Sequence, residues 1–88
     1  WATTTPVHPD RPFLNTEWAW RNEAIDQYND AAQELMTSRS ISVNDLHTLV
    51  LDNVAGFLCE DQLHLSDNGQ QACAATVAHC VSPLLTAK

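Results

Sequence analysis

The sequence predicts an α/β fold in which helices cover a parallel β-sheet, and three observations carry this prediction. Residues 1–5 are a β-leaning run, residues 18–38 repeat apolar side chains with the period of a helix, and residues 40–45 form a second β-leaning run. The second run follows the helix after a connection so short that the order suits a parallel sheet. Two strands can neither shield such helices nor satisfy their own edges, so we expect further strands from a segment outside this sequence.

The first β-leaning run starts at Trp1 with no turn or cap before it. It looks like the tail of a longer strand, and we expect this chain to have been cut from a longer precursor. Three prolines among residues 6–12 then exclude both helix and β-ladder, and they predict a surface loop that runs to about residue 17.

The helix predicted over residues 18–38 has two distinct faces. Its apolar face contains Ile25, Tyr28, Ala32, Leu35 and Met36. The opposite face contains Asp26, Asn29, Asp30 and Gln33. We expect this second face to be solvated.

Two polar residues are predicted to cap the later helices. Asp45 is placed as the N-cap of a helix that runs from residue 46 to about residue 53, and an apolar linker follows at residues 54–59. Ser66 is placed as the N-cap of a last helix over residues 67–81, which the following Ser-Pro pair ends. The predicted order of elements is roughly half of a doubly wound α/β sheet.

Composition limits the size and the partners of the protein. Its 88 residues can form at most one small domain, and a content of 44% hydrophobic and 17% charged residues is typical of a globular protein. The formal net charge of −7 disfavours nucleic acid and anionic membranes as partners. No apolar run approaches the roughly 20 residues that span a bilayer, so no membrane span is predicted.

Cys59, Cys73 and Cys80 allow three interpretations. Cys73 and Cys80 would lie about 10 Å apart along one helix, beyond the ~7 Å limit for a disulfide, whereas Cys59 could reach either of them. The alternatives are buried free thiols in a cytosolic protein and zinc binding, although no C-x-x-C pair is present. We expect a disulfide that involves Cys59 and a secreted or extracytoplasmic location.

Asp61 and His64 form a D-x-x-H pair just before the last predicted helix. A serine hydrolase needs a base that takes the hydroxyl proton and a carboxylate that holds the imidazole in the correct tautomer. With a bend between them, Asp61 can accept from Nδ1–H of His64 while Nε2 points outward. An ordinary polar loop with an aspartate beside a surface histidine has the same spacing, so the surrounding sequence has to decide between this alternative and a catalytic pair.

The surroundings resemble the last block of the SGNH, or GDSL-type, esterase and lipase superfamily. The matching block is DQLHLSDNG at residues 61–69, followed by a helix. Upstream, residues 1–7, 21–32 and 41–46 resemble the fourth strand with its exit loop, the following helix and the fifth strand of that family. The resemblance covers nearly the whole chain.

This resemblance implies a flavodoxin-like three-layer α/β/α sandwich with a parallel sheet, of which residues 1–88 would be the C-terminal part of a single domain. It implies ester hydrolysis by a Ser-His-Asp triad, with His64 as the base and Asp61 as its orienting carboxylate. The serine and the oxyanion hole would lie on an N-terminal segment of the same precursor, so the chain alone would be inactive. The substrate would be a lipid ester, a short-chain ester or an O-acetylated sugar, and no metal or organic cofactor is implied.

Two other functions stay open at this point. One is a non-catalytic binding or interaction module derived from the same fold. The other is a small metal-binding domain that uses the three cysteines and a histidine. A Gly-Asp-Ser segment upstream of this sequence would favour an esterase over the non-catalytic module. A measurement of bound zinc would test the metal-binding domain.

Three further residues are candidates for substrate binding. His8 follows the first strand, and ligands of open α/β sheets bind beyond the carboxyl ends of strands. Trp18 can form an apolar or sugar-stacking wall, with partial burial at a helix start as the alternative. Leu63 flanks the catalytic histidine and is expected to fix its loop. Two remaining histidines, His47 and His79, are expected to be surface or satisfied residues.

Overall fold

A computed structural model of the protein describes residues 1–9 and 21–86. This part of the chain contains four helices: α1 (Asn22–Ser38), α2 (Leu46–Leu51), α3 (Val54–Phe57) and α4 (Asp67–Thr86). Its β-structure consists of two isolated bridges, a parallel one between Ala2 and Asn44 and an antiparallel one between Leu58 and Leu65.

The predicted flavodoxin-like sandwich with a parallel sheet is therefore wrong: the described residues are mostly helical and contain no sheet. Beside the parallel bridge, the N–H of Thr3 donates to the carbonyl of Asn44 at 3.0 Å, and the N–H of Asn44 donates to the carbonyl of Trp1 at 2.8 Å. The chain then turns into α2 directly after Asn44. In the N-terminal segment, on the other side of the bridge, the backbone of Thr4 is hydrogen-bonded to the side chain of Asn29 instead of to a strand. Because neither segment continues as a strand beyond the bridge, no β-ladder forms between them.

Helix α1 begins later than predicted. Arg21 has extended backbone angles (φ −132°, ψ 136°) and is the residue before the first helical one. The predicted helical residues 18–20 lie outside the described part of the chain. The predicted end at Ser38 is confirmed.

The two faces of α1 only partly follow the prediction. Ile25 is buried as expected, but the side chains of Tyr28 and Leu35 are 58% and 48% exposed. Asn29, expected in solvent, is buried, because its amide is bonded to the backbone of the N-terminal segment. The helix therefore uses a polar residue as one of its main contacts with the rest of the molecule.

The hydrophobic core lies between α2, α3 and α4. Val50, Leu58 and Cys73 are buried there. Half-buried apolar side chains pack against them: Leu46, Leu49, Val54, Phe57 and Leu65. A core of this size fits a chain of 88 residues, whose stability is expected to be small.

Helix α2 has the predicted cap. The carboxylate of Asp45 accepts from the N–H of Thr48 at 3.2 Å and from its hydroxyl at 2.6 Å. The same carboxylate accepts from the hydroxyl of Thr3, which joins the cap to the N-terminal segment. Helix α2 ends at Leu51, earlier than predicted, and the predicted linker at residues 54–59 contains the short helix α3.

Helix α4 starts as predicted and ends later. The hydroxyl of Ser66 accepts from the N–H of Gly69 at 3.1 Å, which is the predicted capping bond. Pro83 was expected to end the helix near residue 81, but it lies inside α4, which continues to Thr86. The proline removes one backbone hydrogen bond, to the carbonyl of His79, and His79 is exposed, so that water can replace it.

The predicted disulfide is also wrong. Cys59, Cys73 and Cys80 are all free thiols. Cys73 is held in the core, where burial raises the pKa of its thiol, and the thiol of Cys59 donates to the carbonyl of Leu65 at 3.3 Å. The expectation of an extracytoplasmic location therefore loses this support.

A helix can cross a membrane only if it is both long and apolar. Among the helices of residues 21–86, none combines the length and the apolar character that crossing a bilayer requires.

Candidate active site

The loop between α3 and α4 contains the D-x-x-H pair, and residues 59–64 of it are called the catalytic loop after the role proposed for Asp61 and His64. The loop is closed at its base by the antiparallel bridge between Leu58 and Leu65. Inside the bridge, the N–H of Cys59 donates to the carbonyl of His64 at 2.7 Å, and the N–H of Gln62 donates to the carbonyl of Cys59 at 2.9 Å. These bonds make the catalytic loop a compact turn.

Asp61 holds both the turn and the imidazole. Its Oδ1 accepts from the N–H of Leu63 at 2.9 Å and from the N–H of His64 at 3.0 Å. Its Oδ2 lies 2.5 Å from Nδ1 of His64. The two backbone bonds are the kind that aspartate makes in tight turns, and they fix the carboxylate beside the ring. The structure thus brings Asp61 and His64, the two candidate catalytic residues, into direct contact.

These contacts lower the pKa of Asp61 to about 2. The hydrogen bond from the side chain of His64 is the largest cause, and the backbone N–H groups of Leu63 and His64 add to it. Asp61 is therefore a carboxylate at neutral pH, and because a carboxylate can only accept, Nδ1 of His64 carries the hydrogen of the bond between them. When the ring is neutral, this leaves Nε2 as the nitrogen that can accept a proton.

The imidazole of His64 faces outward. Its side chain is 75% exposed, and that of Asp61 is 35% exposed. Among residues 1–9 and 21–86, Nε2 of His64 has no hydrogen-bond partner, and no hydroxyl is bonded to the ring. The nearest serine in sequence, Ser66, is occupied by capping: its hydroxyl donates to the carbonyl of Gly56 and accepts from the N–H of Gly69.

The catalytic loop is also fastened from outside. Gln62 has a left-handed backbone (φ 66°), which costs a residue other than glycine roughly 1 kcal/mol. Its carbonyl accepts from the N–H of His8 at 3.0 Å. The structure therefore places His8, a candidate for substrate binding, against the catalytic loop through its backbone, with its side chain half-buried.

The other candidate residues have different surroundings. Leu63 is half-buried in the catalytic loop, and Trp18 lies outside the described part of the chain. His47 lies in α2 with its side chain 14% exposed, and its Nε2 is 3.0 Å from Oδ1 of Asp26, in an orientation that does not meet hydrogen-bond geometry. His79 is exposed on α4. In the part of the chain that the structure describes, no three His, Cys, Asp or Glu side chains are grouped to hold a metal ion.

Sequence reasoning missed two asparagines of α1 that bind the N-terminal segment. The amide of Asn22 accepts from the N–H of Val7 at 3.0 Å and donates to the carbonyl of Val7 at 2.8 Å. The amide of Asn29 does the same for Thr4, at 2.8 Å and 2.9 Å. The signal that could have found them is their spacing of seven residues, which puts both amides on one face of the helix.

Comparison of the chain with protein-family models, with curated proteins and with solved structures found no match. The functional interpretation therefore depends on the geometry of the catalytic loop. This loop supplies an ionised carboxylate, an imidazole whose Nδ1 faces that carboxylate, and an accessible Nε2.

Proposed function

We propose that the chain supplies the base and the orienting carboxylate of a serine esterase of the SGNH type. His64 is the base and Asp61 the carboxylate. The serine and the oxyanion hole come from an N-terminal segment of the same precursor. The observation that carries the proposal is the contact between Oδ2 of Asp61 and Nδ1 of His64 at 2.5 Å, with the imidazole exposed on its other side.

The chemistry follows from the tautomer. As the serine oxygen attacks the ester carbonyl, its proton passes to Nε2 of His64, and the imidazolium that forms is stabilised by Asp61. The leaving alcohol takes this proton, and an acyl-serine remains. Water then gives a proton to Nε2, attacks the acyl group and releases the acid, and the serine regains its proton.

The exposed ring supports a division of the site between two segments. A base whose Nε2 faces outward can meet a serine only if another surface is placed against it, and in the described residues no hydroxyl lies there. We therefore expect the 88-residue chain to be inactive alone and to gain activity with the N-terminal segment. Catalysis in this scheme needs no metal or organic cofactor, because the triad and the oxyanion hole supply the chemistry.

The test is turnover of p-nitrophenyl acetate by the chain joined to its N-terminal segment. His64→Ala should lower kcat/KM by roughly three to six orders of magnitude, because the base is removed. Asp61→Asn should cost less, on the order of a hundredfold to ten-thousandfold, because the base remains but its tautomer is no longer imposed. His79→Ala is the matched control, since it removes an exposed histidine from α4, and it should leave the rate unchanged.

Two outcomes would overturn the proposal. One is a wild-type rate in the His64→Ala variant. The other is an N-terminal segment without a serine that reacts with an active-site phosphonate or fluorophosphonate probe. A larger loss for Asp61→Asn than for His64→Ala would instead give Asp61 a role beyond orientation.

A second candidate function is a non-catalytic interaction module, and one observation favours it. The C-terminal half of α4 exposes apolar side chains: Val77 is 41% exposed, Val81 39%, Leu84 67% and Leu85 79%. Exposed apolar patches of this kind mark interaction surfaces. Activity that depends on His64 would exclude a purely non-catalytic role, whereas a complex of this chain with its N-terminal segment that forms but does not turn over the ester would support it.

A further inference from the structure

We infer that Asn22 is a positioning residue for the catalytic loop, and that it acts through the backbone of Val7 and His8. The significance for catalysis rests on the proposed function. The connection itself consists of three hydrogen bonds, each between 2.8 and 3.0 Å, that join the first turn of α1 to Gln62.

The first link is the amide of Asn22. It binds both backbone groups of Val7, the N–H through Oδ1 and the carbonyl through Nδ2. Val7 is 5% exposed, and Pro6 before it is fully buried, so water has little access to these backbone groups. Removing the amide leaves a buried donor and a buried acceptor without partners, which is unfavourable for each group. Asn22 therefore determines where Val7 can lie.

The second link is the N–H of His8, which follows Val7 directly. It donates to the carbonyl of Gln62 at 3.0 Å. The N–H of Gln62 is bonded to Cys59, so both peptide groups that flank the left-handed residue are held. Gln62 lies between Asp61 and His64 in the chain. A shift of its carbonyl therefore changes how the carboxylate meets the ring.

Asn29 provides a matched control in the same helix. Its amide makes the same pair of hydrogen bonds to Thr4, three residues earlier in the segment. Thr4 leads toward the bridge between Ala2 and Asn44 and not toward the catalytic loop. Asn29 is the more buried of the two asparagines. A purely structural role would therefore make Asn29→Ala at least as harmful to folding as Asn22→Ala.

The connection matters because the serine comes from another segment in the proposed enzyme. A base that must receive a proton across such a junction has to hold Nε2 in one direction before the segments meet. Bonds within residues 59–65 set the shape of the catalytic loop, but they do not set its position relative to α1 and the N-terminal segment. The hydrogen bond from His8 to Gln62 sets this position, and Asn22 holds Val7, the residue before His8.

The test uses NMR on the 88-residue chain without any ester. Three quantities are compared in the wild type, Asn22→Ala and Asn29→Ala: hydrogen exchange of the His8 amide relative to the Cys73 amide in the core, the tautomer of the His64 ring, and the pKa of Asp61. In Asn22→Ala the relative protection of the His8 amide should fall by about tenfold or more. The Nδ1–H tautomer of His64 should lose population, and the pKa of Asp61 should rise from about 2. In Asn29→Ala all three should stay close to the wild type.

Equal effects of the two variants on the His64 ring would overturn the inference, as would an unchanged ring in Asn22→Ala. If Asn22→Ala does not fold, Asn22→Asp answers the same question, because it keeps the acceptor for the Val7 N–H and loses only the donor. It should give an intermediate loss of His8 protection. No step of this test measures turnover, so an inactive complete protein would refute the esterase proposal and leave this result standing.

Discussion

Replacing Gly69 with alanine should destabilise the protein, although alanine is the better helix former. Gly69 is buried in the first turn of α4, where the end of α3 approaches it. A Cβ built at this position would lie 2.3 Å from the carbonyl oxygen of Phe57 and 3.1 Å from its carbonyl carbon and Cα. These are backbone atoms, so no side-chain rotation can relieve the contact.

The magnitude follows from the displacement that is needed. An ordinary contact between Cβ and oxygen is at least about 3.2 Å, so α3 and α4 must separate by roughly 1 Å at this point. The same carbonyl of Phe57 accepts from the N–H of Ser66 at 2.8 Å, and that bond is strained by the same movement. Overpacking costs about 1–3 kcal/mol, and we expect about 2–3 kcal/mol here because only backbone can move, against a gain of about 1 kcal/mol from helix propensity. We expect a net loss of about 1–2 kcal/mol.

Gly56 is the matched control. It lies inside α3, and a Cβ there would meet nothing within 4 Å. Gly56→Ala should therefore be neutral or stabilising by up to about 1 kcal/mol. Urea denaturation followed by far-UV circular dichroism measures both variants, which should differ by roughly 2 kcal/mol. A Gly69→Ala variant as stable as Gly56→Ala would refute the close approach of the two helices.

Two further predictions concern charged groups. The pKa of Asp61 in the folded chain lies near 2, below its value in the unfolded chain, so its contact with His64 stabilises the protein above about pH 4 and is lost as the pH falls toward 2. Because Asp61 is 35% exposed, we expect this contribution to stability to be below about 1 kcal/mol. A carbon-detected NMR titration should show that the pKa of Asp61 rises in His64→Ala. An unchanged pKa of Asp61 would contradict the contact. Asp45→Ala should cost about 1–2 kcal/mol in urea denaturation through loss of the α2 cap, whereas Asp45→Asn should cost less, and equal losses would show that the charge matters more than the cap.

Local patterns predicted the structure well where only a few consecutive residues decide it. The caps at Asp45 and Ser66 depend on one side chain and a backbone N–H three residues later. The contact between Asp61 and His64 has the same local character, since the spacing of three and the turn between them bring the carboxylate to Nδ1. Such interactions can be predicted because the chain cannot place the two groups far apart.

Prediction failed where residues distant in sequence compete for the same backbone groups. The β-leaning run at residues 1–5 was expected to enter a sheet, but the backbone of Thr4 is bonded to Asn29. Nothing in residues 1–5 indicates this partner, which lies 25 positions further along the chain. An asparagine on the polar face of an amphipathic helix is normally solvated, so the pattern of α1 gave no reason to bury it. Hydropathy also cannot reveal that the last turns of α4 are exposed, so that water can reach the His79 carbonyl that Pro83 leaves without an N–H donor.

The catalytic loop combines these two cases. Its internal geometry is local, because Asp61 fixes both the turn and the ring. Its position is not local, because the bond from His8 to Gln62 spans most of the chain and depends on where Asn22 holds Val7. The D-x-x-H spacing therefore predicts that the imidazole has the correct tautomer, but it cannot predict the direction in which Nε2 points. For the proposed base, which must meet a serine from another segment, this direction decides between an exposed polar pair and a catalytic site, and Asn22→Ala is the variant expected to disturb it.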